Sequence, residues 1–163
     1  MKSLDNYPII NKKVLLRLDF NVPVVDGVIT DYSRILAVKN SIDKLISKKN
    51  KIFILAHFGR PKGEVNEKLS LNFILPSLKK ILKVEKIHFL KKLEEEPIYK
   101  IIHEMKSGEI CLVENIRFYK EEEKFNLKFA EKISKFFDVY VNDAFSASHR
   151  NHTSITGFSK FLP

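Results

Sequence analysis

The chain has 163 residues, 44% hydrophobic and 30% charged, a balance that suits one domain with a core and excludes a disordered polymer. No apolar run approaches the roughly 18 residues a membrane span needs. The first residues, MKSLDNYPIINKK, hold no apolar signal core. The net charge of +9 invites a nucleic-acid reading. However, the positive charge comprises 24 lysines and only five arginines, and the lysines spread along helical faces as a solvated surface does.

Taken in chain order, short β-branched runs alternate with segments of helical period. Strands are expected over residues 14–20, 52–57, 86–90, 110–114 and 138–142. A first helix follows Asp31 as N-cap and carries Ile35, Val38, Ile42, Leu45 and Ile46 on one face. A second starts near Ser70 with Leu71, Ile74, Leu75, Leu78 and Leu82 in register, although Pro76 disturbs its first turns. The third opens at Glu94–Glu96 with Pro97 and closes at Lys106 and Gly108. The fourth is capped by Asn126 and runs through residues 127–137. Repeated β-then-α order predicts an α/β fold, a mostly parallel sheet with helices on its faces. Residues 59–68 form the most loop-like stretch, and Glu121–Glu123 reads as a surface loop or helix approach.

In open parallel sheets, ligands bind beyond the carboxyl ends of the strands. Four of the expected strands end in polar clusters. These are Asp19-Phe20-Asn21, His57-Phe58-Gly59-Arg60, Glu114-Asn115-Ile116-Arg117, and Asn142-Asp143 leading through Phe145 and Ser146 to His149, Arg150, His152 and Ser154. In a chain that prefers lysine almost five to one, Arg60, Arg117 and Arg150 each follow a strand end. Arg34 stands in the first turn of the first helix, where a cation opposes the helix dipole. A planar fork of donors grips phosphate or carboxylate at two points, as lysine does not. Four such side chains on one rim repel one another unless an anion fills the gap, so a small, multiply charged anion is the expected ligand.

Other residues have plainer readings. Arg17 shares a strand face with Asp19 and Asn21, and either reaches the site or pairs with Asp19 beneath it. His88 and His103 read as packing or surface residues, and Cys111 as a buried strand residue rather than a nucleophile. His149 and His152 at i, i+3 lack the carboxylate or cysteine neighbours of a zinc site. The five glycines form neither a Walker loop nor a dinucleotide fingerprint, so nothing in the chain reads as an ATP or NAD site. Two other classes compete with the anion-binding enzyme. A nucleic-acid module calls for aromatics interleaved with the basic residues, whereas the phenylalanines fall at core-like spacing. A purely structural domain leaves the arginines at strand ends without a purpose.

The segments VLLRLDFNVP, DYSRI, AHFGRPKG, ENIRFYKEEEKF and VNDAFSASHRNHTS, in this order, resemble phosphoglycerate kinase over the whole chain. The resemblance implies a three-layer α/β/α domain with a Rossmann-like sheet. It also implies a cytoplasmic, monomeric glycolytic enzyme with a further nucleotide-binding domain. That enzyme moves a phosphoryl group reversibly between 1,3-bisphosphoglycerate and ADP, giving 3-phosphoglycerate and ATP. On this likeness residues 1–163 are the phosphoglycerate-binding N-terminal domain, ending before the interdomain helix. Mg-ATP or Mg-ADP is expected on the other domain, with no metal, nucleic acid or membrane bound here. Asp19 and Asn21 are then expected at the glycerate hydroxyl and carboxylate. His57, Arg60, Arg117 and Arg150 are expected at the anionic groups, and Arg34 at the transferring phosphoryl as the catalytic residue. Phe20, Phe58 and Gly59 complete the expected substrate-binding set. The isolated chain is expected to bind phosphoglycerate without turnover.

Overall fold

A computed structural model describes residues 2–144 and 148–163. Its centre is a five-stranded sheet of β1 (Lys13–Arg17), β4 (Lys51–Leu55), β5 (Ile87–Leu90), β6 (Ile110–Val113) and β7 (Val139–Asn142), in the order β5-β6-β4-β1-β7 with every pairing parallel. Between β1 and β4, a two-residue-armed hairpin forms from β2 (Val24–Val25) and β3 (Val28–Ile29), which the sequence reading did not anticipate. Its turn runs through Asp26 and Gly27, both at positive φ, the aspartate-glycine chemistry of a tight hairpin.

Helices cover both faces, giving the three layers expected. Alternate side chains of β1 point to opposite sides of the sheet. Val14, Leu16 and Leu18 pack with Ile35, Val38, Ile42 and Leu45 of α1 (Ser33–Ser47) and with Leu78 and Leu82 of α2 (Leu75–Leu82). Leu15, Phe53, Leu55, Cys111 and Val113 pack on the other side. There they meet Ile98 of α3 (Glu95–Glu104), Ala130 and Ile133 of α5 (Leu127–Ser134), and Phe158. Fully burying one such aliphatic side chain stabilises the fold by roughly 1.5–3 kcal/mol.

Several boundaries differ from expectation, each for a local reason. Strand pairing stops at Arg17 and Leu55, and residues 18–20 and 56–57 bend into the site loops, with Leu18 N–H still donating to Leu55 O at 2.9 Å. Tyr32, not Asp31, precedes α1, but Asp31 Oδ1 still accepts from Ser33 N–H at 2.8 Å. The Ser70 segment begins as a 3₁₀ turn, Leu71–Ile74, and turns α-helical where Pro76 takes the first-turn position that lacks an N–H partner anyway. The third helix ends at Glu104, earlier than Gly108, which instead turns at φ +87° and donates its N–H to Asn50 O at 2.9 Å. Asn126 caps as expected, its Oδ1 accepting from Phe129 N–H at 2.9 Å, though α5 stops at Ser134. The acidic run is a helical turn, α4 (Lys120–Glu123), with Glu122 wholly buried.

Candidate functional site

At the carboxyl rim of the sheet, Asp19, Asn21, Arg34, His57, Gly59, Arg60, Arg117 and Arg150 line one hollow of about 250 Å³. The loops after β1, β4 and β6 supply most of it, and they are tied to each other through backbone atoms. Gly59 donates its N–H to Asn21 Oδ1 at 3.0 Å and accepts at its carbonyl from Arg117 Nη1 at 3.3 Å. It sits at φ +64°, where a side chain is strained, and an added Cβ would lie 2.7 Å from Leu69 Cδ2, which would have to shift. Asn115 Nδ2 donates to Phe58 O at 2.7 Å and Leu69 O at 2.9 Å, while its Oδ1 caps the short turn that carries Arg117. Glu114 clamps the far end of the same loop, accepting from Ser70 Oγ at 2.6 Å and Leu71 N–H at 2.8 Å. The wall is therefore pre-formed by its own hydrogen bonds.

The arginines differ in how their charge is met. Arg34, placed against the dipole of α1, reaches back to Asp19, with Nη1 2.8 Å from Oδ1 and 2.7 Å from Oδ2. Asp19 thus offsets one of the four cations. Arg117 is nearly buried, and its Nε makes no hydrogen bond among the described residues. The Glu123 carboxylate lies 3.9 Å from that nitrogen. Burial first, then the charge of Arg150, holds the Arg117 guanidinium below its ordinary pKa. Arg60 and Arg150 are exposed at the mouth. A buried donor that makes no hydrogen bond among the described residues, beside the charges of Arg150 and Arg17, is complementary to an anion.

His57 is buried, and burial together with the Arg17, Arg117 and Arg150 charges pushes its pKa down to about 3, with Asp19 opposing. Its Nδ1 lies 2.8 Å from Arg17 Nη2. A guanidinium only donates, so Nδ1 is the acceptor and the ring proton belongs on Nε2. His57 meets the hollow as a neutral N–H donor.

Phe20 and Phe58 stand apart from the other expected residues. Phe20 is fully buried in the core layer under α1, and Phe58 packs on Phe73 with ring centroids 4.9 Å apart; neither lines the hollow. The expected cluster at Phe145 and Ser146 lies outside the described residues. His149 is exposed and His152 has its Nδ1 buried without a hydrogen bond among the described residues. His88 sits 3.4 Å from Glu109, in keeping with a packing role.

Arg17 runs below the hollow, where its Nε donates to Ser154 Oγ at 2.8 Å and its Nη1 to Leu18 O. Ser154 closes the last polar cluster of the sequence, whereas no sequence signal marks Glu122 or Tyr140. A charged residue inside the apolar run VLLRL is the clearest signal of this layer; Glu122 is indistinguishable in sequence from its exposed neighbour Glu123.

Fold and hollow define a parallel α/β domain with a basic, anion-complementary site at its carboxyl rim. The family model of phosphoglycerate kinase matches residues 4–163. Phosphoglycerate kinase of Wolbachia pipientis is 45% identical over 161 residues, which is 99% of this chain and 40% of the relative. That of Prochlorococcus marinus is 45% identical over 163 residues, again 99% and 40%. Among solved structures, phosphoglycerate kinase from Pyrococcus horikoshii superposes with a TM-score of 0.87 at 33% identity, covering all of this chain and 41% of that one. The enzyme from Coxiella burnetii gives 0.85 at 31% identity, covering 98% and 39%. This chain belongs to the phosphoglycerate kinase family. It spans about two fifths of the length of these relatives.

Proposed function

We propose that residues 1–163 form the phosphoglycerate-holding domain of a phosphoglycerate kinase, and that the hollow lined by Arg60, Arg117, Arg150 and His57 receives 3-phosphoglycerate or 1,3-bisphosphoglycerate. The observation that carries this is the pairing of a buried, under-bonded Arg117 with a neutral His57 donor in one basic hollow. In this reading the non-transferred phosphate lies against Arg60, Arg117 and Arg150, and Asn21 and Asp19 orient the glycerate end. Arg34 is the catalytic residue. Its exposed guanidinium, held on Asp19, turns to the transferring phosphoryl and neutralises charge that grows in the transition state.

The full-length protein is proposed to transfer the acyl phosphoryl of 1,3-bisphosphoglycerate to ADP. On this reading Mg-ADP or Mg-ATP belongs to the remaining three fifths of the relatives' length. The same proposal has the present chain bind phosphoglycerate without turning it over. A cytoplasmic, monomeric enzyme is part of the same proposal and rests on family membership; among the described residues no helix is long and apolar enough to cross a membrane.

The test is a titration of the chain followed by backbone amide shifts, with 3-phosphoglycerate, Mg-ATP and a short oligonucleotide in parallel. Shifts confined to residues 19–21, 57–60, 117 and 150 with 3-phosphoglycerate alone are expected. A stronger response to the oligonucleotide, falling steeply with salt, refutes the proposal.

A further inference from the structure

Arg17 is 1% exposed and ends β1, an interior strand of the sheet, where its neighbours Leu15, Leu16 and Leu18 are all fully buried. Burying a guanidinium costs several kcal/mol unless it is fully paired, and an apolar side chain of like volume usually serves stability as well. The placement therefore calls for a use other than holding the sheet together. Its donors point three ways: Nε to Ser154 Oγ at 2.8 Å, Nη1 to Leu18 O, and Nη2 to His57 Nδ1 at 2.8 Å. Ser154 is itself fixed. Its N–H donates to the Glu122 carboxylate at 2.6 Å, and its carbonyl accepts from the Tyr140 hydroxyl, which also donates to Ile155 O at 3.2 Å. Arg17 is thus braced by β1, β7, α4 and the helical turn Thr153–Gly157.

We propose that Arg17 is a positioning residue, which acts through His57 by holding its ring in one orientation and one tautomer, with the proton on Nε2 facing the anion. This rests on the reading of the hollow as the phosphoglycerate site. The chemistry is simple. An imidazole free to rotate presents a donor or a lone pair to a phosphate, and the lone pair repels it. A donor-only partner at Nδ1 removes the wrong choice. The charged groups around the ring are Arg17 from β1, Asp19 beyond it, Arg117 after β6 and Arg150 after β7, three cations to one anion. A neutral imidazole therefore adds a donor without adding a fourth positive charge, and burial favours the same state.

The experiment is a long-range proton–nitrogen correlation spectrum of the histidine-labelled chain from pH 5 to 8, without ligand. The expected spectrum has His57 Nδ1 unprotonated and Nε2 protonated across the whole range. In Arg17→Met the two tautomers mix, while 3-phosphoglycerate binds roughly three- to ten-fold more weakly, the loss of about one hydrogen bond. Arg17→Lys, which keeps a donor, restores part of both. Ser154→Ala keeps the cation but loosens its brace, and shows the same changes in smaller measure should Arg17→Met fail to fold. A wild-type His57 that carries its proton on Nδ1, or titrates near 6.5, overturns the proposal. So does a folded Arg17→Met that keeps one tautomer and wild-type affinity. Failure of the unmodified chain to bind 3-phosphoglycerate refutes the substrate reading instead, and the ligand-free spectrum still decides the tautomer.

Discussion

Arg117→Met sets binding against stability. Methionine keeps an unbranched, flexible stem and deletes the guanidinium. In the free protein that guanidinium gains little: one long bond to Gly59 O at 3.3 Å, a glutamate 3.9 Å away, and an Nε with no hydrogen bond among the described residues. Against this stand its burial and the repulsion of Arg150 and Arg17. Removing the cation is therefore expected to change the unfolding free energy by no more than about 1 kcal/mol, with stabilisation the favoured sign. For the ligand the arithmetic runs the other way. Two charge-assisted bonds at roughly 1.5–3 kcal/mol each are lost, which corresponds to at least about 100-fold in affinity for 3-phosphoglycerate. Calorimetric titration measures the second quantity and urea unfolding the first. A variant that loses more than about 2 kcal/mol of stability with its affinity unchanged makes Arg117 a strut and removes it from the site.

Further outcomes are expected elsewhere in the molecule. Because the His57 pKa falls from 6.5 unfolded to about 3 folded, the unfolded state binds the extra proton between those values; stability is full above pH 6.5 and falls on acidification by up to roughly 1.4 kcal/mol per pH unit, and His57→Gln should flatten the urea-midpoint profile there. Asn50 is wholly buried, donating to Ile9 O and Leu45 O at 2.9 Å and accepting from Lys12 N–H at 2.9 Å. Asn50→Ala should cost about 2–4 kcal/mol in urea unfolding and leave 3-phosphoglycerate affinity untouched. Burial pushes the Cys111 thiol pKa far up, so a disulfide reagent should label it only at the rate of unfolding; fast labelling of the native chain contradicts the core placement. In the full-length enzyme, Arg34→Ala should lower kcat much more than it weakens 3-phosphoglycerate binding, and Arg34→Lys should recover part of the loss. An unchanged kcat with a raised KM assigns Arg34 to ground-state binding.

Much of the rim was legible because strand ends announce themselves. Asp19, His57 and Glu114 follow their apolar runs at or just past the end of the ladder, Arg117 comes one short turn after Glu114, and parallel topology carries these loops to one edge. The Asn126 cap was legible for a similar reason, since its side chain meets the helix by a local bond. The deeper layer was not. Whether Glu121, Glu122 or Glu123 is the buried one depends on how α4 is seated against Thr153–Gly157, which no local pattern encodes. Arg17 was visible as a charge in a central strand, but its partner His57 is 40 residues away. Phe20 and Phe58 stand among the rim residues in sequence, while their rings pack into the core.

The order of the strands carries a consequence for the hollow. β6, β4 and β1 lie side by side, and neighbouring strands stand about 4.7–4.9 Å apart. The loops that carry Arg117, His57 and Asp19 rise from these three strands in turn, so their bases are set out like marks on a ruler, roughly 10 Å from first to last. Arg150 reaches the same hollow from the next strand over, β7. The spacing of the loop bases is thus fixed by the strand ladder, which no surface substitution alters.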